Sequence, residues 1–492
     1  MSHRVLPISL PEYRSFLNCL WDGSIKRLGL AVSGGVDSMA LAYLTHKFLD
    51  EERRLYGTKN TLQIHAFIID HGVRPGSEAE AAAVAEILKG YGFSTDVLPL
   101  LWEPGELSAG GFETRARAAR YRTLAKACVQ NKVFKLLLAH HADDQAETVM
   151  MRLISGSRFD GLAGMKAVAG IPECHGLYGA KRVDVWRPLL AIGKEQLIAT
   201  CEQNNVEWFE DYTNHDATYT RRNAIRQLLS ASPPRLPKAL QRDSLVCISR
   251  RAEIRNHTIK EAAFRLRVHC KVSLSARTGT LHFSLPPNHL SLWRDATDSV
   301  RMRLLIDIAE MASPSPRVEA RQMLTVFRRV FSAGEVDQIP TFTSGGLMWT
   351  YRGQQKWTLD REPFMAQRKE QVTELVVVEH DWSEWKLWDG RWWIRVQTPA
   401  WVKRCYVRVL QDKDMRVVKA MAVKRGIKGQ LSEILKELKM GIRFTVPVVF
   451  WKGKGEEAEA KVELEAGEVL VSLPTVGLDF VDRVRYQVRF KG

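Results

Sequence analysis

The sequence predicts an α/β protein whose N-terminal part is a doubly wound parallel sheet, followed by helical and small α+β regions. Three observations lead there. Over roughly the first 230 residues, short apolar runs alternate with stretches of helical spacing, the pattern of βαβ units with a sheet covered on both faces. The first apolar run ends in a glycine-rich loop that opens directly into a helix-like stretch. After Leu229 the character changes to proline-punctuated, basic and then tryptophan-rich sequence.

Arg27–Val32 is the first expected strand. Met39, Leu41, Ala42, Leu44 and Phe48 then recur at helical spacing, so Met39–Leu49 is expected as a helix. Leu62–Ile69 follows as a strand, Ala79–Gly90 as a helix and Ser94–Leu98 as a short strand. Glu113–Gln130 is expected as a helix, Lys135–Ala139 as a buried strand and Asp144–Ile154 as another helix. This domain is expected to span about residues 20–230.

Ser230–Pro237 contains three prolines and is expected as a linker or turn. Arg242–Cys270 is basic and helix-compatible, and Asp298–Met311 is a further expected helix, bracketed by Pro286, Pro287, Pro314 and Pro316. Residues 238–345 are therefore expected to be mainly helical. From there to residue 492 the chain is strand-like and rich in tryptophan, as in Trp382–Val396, and is expected to be a strand-rich α+β region. No internal repeat or low-complexity tract interrupts it.

At 492 residues the chain is too long for one compact core, and about two to four domains are expected. Hydrophobic residues make up 45% and charged residues 26%, ordinary for a globular protein. No apolar run approaches the length a membrane span needs. The seven cysteines are scattered, without a CxxC pair, which fits a reducing compartment and argues against a structural zinc site or an iron–sulfur cluster. Met1–Arg14 has no apolar signal core, so the expected location is the cytoplasm or a mitochondrial or other organellar matrix. A formal charge of +16 points to a polyanionic partner, nucleic acid first. Within Trp401–Phe444, twelve Lys or Arg face four Asp or Glu, so an RNA-backbone surface and a solvated basic face both fit that segment.

The strongest chemical signal is Ser33-Gly34-Gly35-Val36-Asp37-Ser38, between the first strand and the first helix of the domain. Two glycines let the backbone turn tightly and approach a ligand. The serine hydroxyls and the amides of the following helix start make an anion cradle. There is no Gly-Lys-Ser/Thr ending, so this is not a Walker loop. Asp37 is acidic within a phosphate-binding loop, which makes sense with Mg2+ between carboxylate and phosphates.

Three further constellations carry chemistry, two of them at strand ends and one on a helix face. Asp70-His71-Gly72-Val73-Arg74 ends the second strand, so Asp70 and His71 are expected to face the same crevice as Ser33. Glu113, Arg117 and Arg120 fall on one helix face, where a glutamate can hold an arginine as a rigid fork for phosphate or carboxylate; an exposed, salt-bridged helix is the plainer alternative. His140-His141-Ala142-Asp143-Asp144-Gln145-Ala146-Glu147-Thr148 follows a buried strand, with Asp144 and Glu147 sharing a face that can hold magnesium or a substrate ammonium. Asp143 also suits a helix cap.

The hexapeptide looks like the PP-loop of the ATP-pyrophosphatase superfamily. With all four constellations in order, the chain resembles the tRNA(Ile)-lysidine synthetases, a PP-loop family of the adenine nucleotide alpha hydrolase-like fold. The likeness covers about residues 27–230 and includes Gly156-Ser157-Arg158, Gly161 to Met165, Trp186-Arg187-Pro188-Leu189-Leu190, Trp208-Phe209-Glu210-Asp211 with Thr213-Asn214, and Arg222-Asn223-Ala224-Ile225-Arg226. Lys428–Lys436 through Pro447 and Leu470–Leu478 look like the family's last domain, which grips the tRNA acceptor stem.

The resemblance implies a ligase that adenylates the wobble cytidine of a CAU-anticodon tRNA at O2 and then joins the ε-amine of free L-lysine to carbon 2, releasing AMP. It implies that Ser33, Gly34, Gly35, Val36, Asp37 and Ser38 bind ATP, with Asp37 also on Mg2+. Arg117 would neutralise charge at the α-phosphate, Asp144 and Glu147 would receive lysine, and Arg222 would steady ATP or the adenylate. His71 and His141 both stand as groups that could move protons. Tyr219-Thr220-Arg221-Arg222-Asn223 carries one residue more than the family's spacing, so Arg221 and Arg222 both stand as the arginine that reaches ATP. The implied partners are tRNA and lysine, with no membrane and the oligomeric state left open. The alternatives are a tRNA thiolase of the same superfamily, for which the usual cysteine pairs are missing, an amide-forming ligase of small metabolites, and a non-catalytic tRNA-binding protein on the same scaffold.

Overall fold

A computed structural model describes residues 5–20, 24–57, 62–73, 76–102, 111–209, 221–231, 235–286, 290–331, 339–365, 371–377, 381–399, 402, 404–438, 442–452, 468–480 and 484–491. The chain divides into two compact units, Met1–His257 and Thr258–Gly492.

In the first unit, β1 (Arg27–Val32), β2 (Gln63–Asp70), β3 (Ser94–Pro99), β4 (Lys135–Leu137), β5 (Val168–Gly170) and β6 (Asp184–Trp186) form one sheet in the order β3-β2-β1-β4-β6-β5. Every pair is parallel except β5 with β6, at the edge. Helices α1 (Leu10–Asn18), α2 (Val36–Tyr56), α3 (Ser77–Gly90), α4 (Phe112–Gln130), α5 (Ala142–Ile154), α6 (Lys194–Gln203) and α7 (Arg221–Ser230) accompany it.

Two cores explain why the strands read as unbroken apolar runs. Ala66, Ile68 and Leu137 pack with α1, α2, α3 and α6, while Phe67, Ile69, Leu136 and Leu138 pack with α4. Both faces of the central strands β1, β2 and β4 are covered, so their middles are apolar, whereas the edge strands β3 and β5 keep exposed positions. Gly29 in β1 has no room for a side chain, since a Cβ would lie 2.9 Å from both Leu136 and Val133. The strand order reverses between β1 and β4, the place in open α/β sheets where a crevice opens at the carboxyl ends.

The helix α8 (Arg242–Val268) begins in the first unit, where Leu245 and Ala252 are buried. Its later residues Ala263 and Leu266 belong to a core of the second unit. There, β7 (Ser273–Leu274), β8 (Leu281–Ser284), β9 (Phe342–Ser344), β10 (Leu347–Tyr351) and β11 (Lys356–Arg361) form an antiparallel sheet, packed with α10 (Asp298–Ala312) and α11 (Ala320–Phe331) after the short α9 (Ser291–Arg294). A second antiparallel sheet holds β12 (Thr373–Val376), β15 (Arg404–Val409), β16 (Pro447–Lys452), β17 (Glu468–Leu473) and β18 (Leu478–Asp479). A third holds β13 (Lys386–Trp388), β14 (Trp392–Gln397) and β19 (Arg485–Phe490), with α12 (Asp414–Lys424) and α13 (Lys428–Glu437) alongside the second. Among the described residues no helix is long and apolar enough to cross a membrane.

Candidate active site

The glycine-rich segment forms a tight loop between β1 and α2. Gly34 has a φ of +82°, in the left-handed region, and a Cβ there would come within 3.1 Å of Val84. Only glycine takes this conformation without strain. Gly35 is the N-cap of α2, so the amides of residues 36–38 lack intrahelical acceptors and present the positive end of a 21-residue helix. Ser38 Oγ donates to the Gly35 carbonyl at 2.9 Å and accepts the Ser33 amide at 3.2 Å, closing the loop on itself. Phe209 N donates to the Gly34 carbonyl at 3.0 Å, which holds the loop from outside.

The His-His-Ala-Asp segment reaches the same place from the neighbouring strand β4. His141 sits with Nε2 3.5 Å from Asp37 and 3.5 Å from Asp144, and with Nδ1 3.4 Å from Asp143. Burial alone would lower its pKa, but Asp143, Asp37 and Asp144 override that and raise it to about 10. His141 is therefore an imidazolium at neutral pH, tying the loop's carboxylate to the start of α5. Asp143 does cap a helix, though not its own. Its Oδ2 accepts the Lys194 amide at the start of α6, at 2.9 Å.

Asp144 and Glu147 share one face of α5, as their spacing requires. Both are met by arginines of α7. Arg222 Nη2 donates to Asp144 Oδ1 at 3.0 Å and its Nε to Glu147 Oε2 at 2.6 Å, while Arg226 Nε donates to Glu147 Oε1 at 2.7 Å. Glu147 is only 2% exposed. Between Arg221 and Arg222, it is Arg222 that reaches the acidic pair.

A cleft of about 830 Å³ gathers these parts at the switch between β1 and β4. Ser33, Asp37, Ser38, His71, Glu113, Arg117, Arg120, His140, Asp144, Arg221, Arg222, Asn223 and Arg226 line it. Gly34, Gly35 and Val36 belong to the loop that forms one wall. Glu147 stands behind the lining, holding the two α7 arginines. Asp70 is not in the lining. Its Oδ1 accepts the Gly72 amide at 3.0 Å and shapes the turn that places His71, whose carbonyl accepts Trp102 Nε1 at 2.7 Å. Arg117 and Arg120 lie over the ring of Tyr121 at 4.9 and 5.2 Å. Among the described residues neither makes an ion pair with Glu113. Arg74, Glu210, Asp211, Thr213, Asn214 and Tyr219 lie outside the described residues.

Sequence reasoning gave no role to Arg226, Arg187 or Gln145. Arg226 repeats Arg222 one turn later on α7, a spacing visible in the sequence. Gln145 Nε2 donates to the Met165 carbonyl at 2.9 Å and to Ser249 at 2.8 Å, and its Oε1 accepts the Met165 amide at 2.7 Å. These partners are remote in sequence, so no local signal could have revealed them.

Asp37 Oδ1 is buried without a hydrogen-bond partner among the described residues. A lone carboxylate oxygen beside a phosphate cradle suits Mg2+, which commonly takes one or two carboxylates together with substrate phosphates.

Comparison with known proteins agrees with this arrangement. A family model described as the PP-loop domain matches residues 11–232. A probable tRNA(Ile)-lysidine synthase of Schizosaccharomyces pombe is 29% identical over 92% of either chain. The tRNA(Ile)-lysidine synthase of Bradyrhizobium sp. is 39% identical over 44% of this chain and 55% of its own length. That of Zymomonas mobilis is 31% identical over 54% of this chain and 76% of its own length. The loop, the cleft and these likenesses together place the chain in the tRNA(Ile)-lysidine synthase family of ligases, built on a PP-loop ATP-binding domain.

Proposed function

We propose that the chain is an ATP-dependent tRNA(Ile)-lysidine synthetase. The observation that carries this reading is the single cleft shared by the Ser33–Ser38 loop and by Asp144 with the arginines. In the first step the O2 oxygen of the wobble cytidine attacks the α-phosphorus of ATP, and pyrophosphate leaves. In the second, the neutral ε-amine of lysine attacks carbon 2, and AMP leaves with that oxygen. A carbonyl oxygen leaves poorly until it is phosphorylated, which is why ATP must be consumed first.

The loop amides and the Ser33 and Ser38 hydroxyls hold the phosphates of ATP. Asp37 holds Mg2+, which when bound screens the phosphate charge from that carboxylate. Arg117 and Arg222 balance charge at the α-phosphate, where guanidinium forks suit phosphate oxygens. Of the acidic pair, Asp144 lines the cleft and is the one that meets the lysine amine directly. Glu147, with both oxygens engaged, acts by holding Arg222 and Arg226. His141, already protonated among carboxylates, is a poor base, so His71 is left as the histidine that can accept the amine's proton.

The cysteines speak against the thiolase alternative. None lines the cleft, and burial pushes the thiols of Cys128 and Cys201 up to about 12 and that of Cys174 to about 11, far from the thiolate that sulfur transfer needs. Incubation with ATP, labelled lysine and a CAU-anticodon tRNA tests the reading. Label should enter RNA only with ATP present. Tight tRNA binding without incorporation would favour a binding protein instead.

A further inference from the structure

His140 has no task in the two-step scheme, yet it lines the cleft beside Ser33, Arg117 and Asp144. Its ring is held from behind by Arg187, which is 6% exposed and comes from the segment after β6. Arg187 Nε donates to His140 Nδ1 at 3.1 Å, and its Nη1 donates to the Lys166 carbonyl at 2.8 Å.

The direction of that bond fixes the chemistry of the ring. A guanidinium only donates and keeps its protons in proteins. The nitrogen facing it must therefore offer a lone pair, so the ring's proton sits on Nε2. With Nδ1 occupied, the ring has no acceptor left for a substrate proton. It has one N–H. Charge agrees with geometry: burial first, then the guanidiniums of Arg187, Arg120 and Arg222, hold the ring neutral against the opposing pull of Asp144, with a pKa of about 3.

We propose that His140 is a neutral hydrogen-bond donor, through Nε2–H, to a phosphoryl oxygen of the nucleotide in this cleft, and that Arg187 is the positioning residue that fixes its tautomer. This rests on the reading of the cleft as an ATP site. Arginines lining the cleft already supply positive charge, and a fixed neutral donor adds direction without adding to their mutual repulsion. Such a donor strengthens as charge gathers on the α-phosphoryl oxygens during attack. Because it cannot take a proton, it does not compete for the one the lysine amine must lose.

Two measurements on the full chain test this. Nitrogen-15 spectra of histidine-labelled protein, with His140 assigned by its loss in H140Q, should show the Nε2–H tautomer, and that resonance should move when a non-hydrolysable ATP analogue is added. In R187M the tautomer preference should be lost. In tRNA-dependent pyrophosphate release, H140A should lower kcat at least about tenfold with a smaller change in KM for ATP. H140Q should recover much of the loss, because its amide offers an N–H near the same place. An Nδ1–H tautomer, a resonance indifferent to the analogue, or equal rates in H140A and wild type would overturn the proposal. So would equal impairment of the two substitutions in chains that keep the wild-type melting temperature. A wild-type chain that never transfers lysine, but whose His140 resonance still responds to the analogue, would sink the synthetase reading and sustain this one.

Discussion

Glu147 holds two arginines of α7 from a buried position on α5. It is 2% exposed, and its two oxygens accept from Arg222 and Arg226. Replacing it with Gln leaves two guanidiniums facing an uncharged amide. The expected loss is about 2 to 4 kcal/mol, toward the lower figure because both arginines reach solvent in part; urea unfolding reads it. His141 gives a prediction with a defined sign. Its folded pKa of about 10 lies above the ordinary 6.5, so its ion pairs stabilise fully below pH 6.5 and lose that contribution as pH rises toward 10. The stability gap between wild type and H141Q, followed by thermal unfolding, should shrink steadily across that window; a gap that widened would contradict the imidazolium assignment. At this scale the sequence was only partly readable. Ser33, Asp37, Arg117 and Asp144 announce themselves by motif, and all line the cleft. The pairing of Arg187 with His140, 47 residues apart, has no local trace, because it depends on β6 lying beside β4.

The elements of the first unit were legible because their cause is local. Met39, Leu41, Ala42, Leu44 and Phe48 are all buried on α2, and the helix begins where the glycines end, at Val36. The small antiparallel strand β5 gave no signal, since three residues with exposed ends carry no period to detect. The junction of β1 with α2 is where an element-level change should matter most. In G34A the added methyl meets Val84 at 3.1 Å on a backbone with a φ of +82°. About 1–2 kcal/mol of strain is expected, and the loop should relax by moving its amides. ATP affinity, measured calorimetrically, should therefore fall more than stability does. The same crowding holds after α5. In G164A a Cβ would stand 2.5 Å from Gln145 Oε1, in another left-handed position with a φ of +62°. The expected result is a displaced Gln145 and a looser hold on Met165 and Ser249.

For the whole molecule, a net charge of +16 fits binding dominated by phosphate contacts. Affinity for tRNA should then fall at least about tenfold between roughly 50 and 200 mM salt, with a linear log–log slope, and filter binding across a salt series measures it. An affinity indifferent to salt would mean that the charge serves another purpose. The basic character was plain in composition, whereas a surplus of charge does not by itself say which residues would meet RNA. Adenylation of the base turns on a single oxygen atom. If tRNA carrying oxygen-18 at O2 of the wobble cytidine is incubated with the chain, ATP and lysine, the AMP released should gain one atom of oxygen-18. Heavy oxygen that stays in the RNA while lysine is incorporated, or that appears only in water, would contradict adenylation of the base.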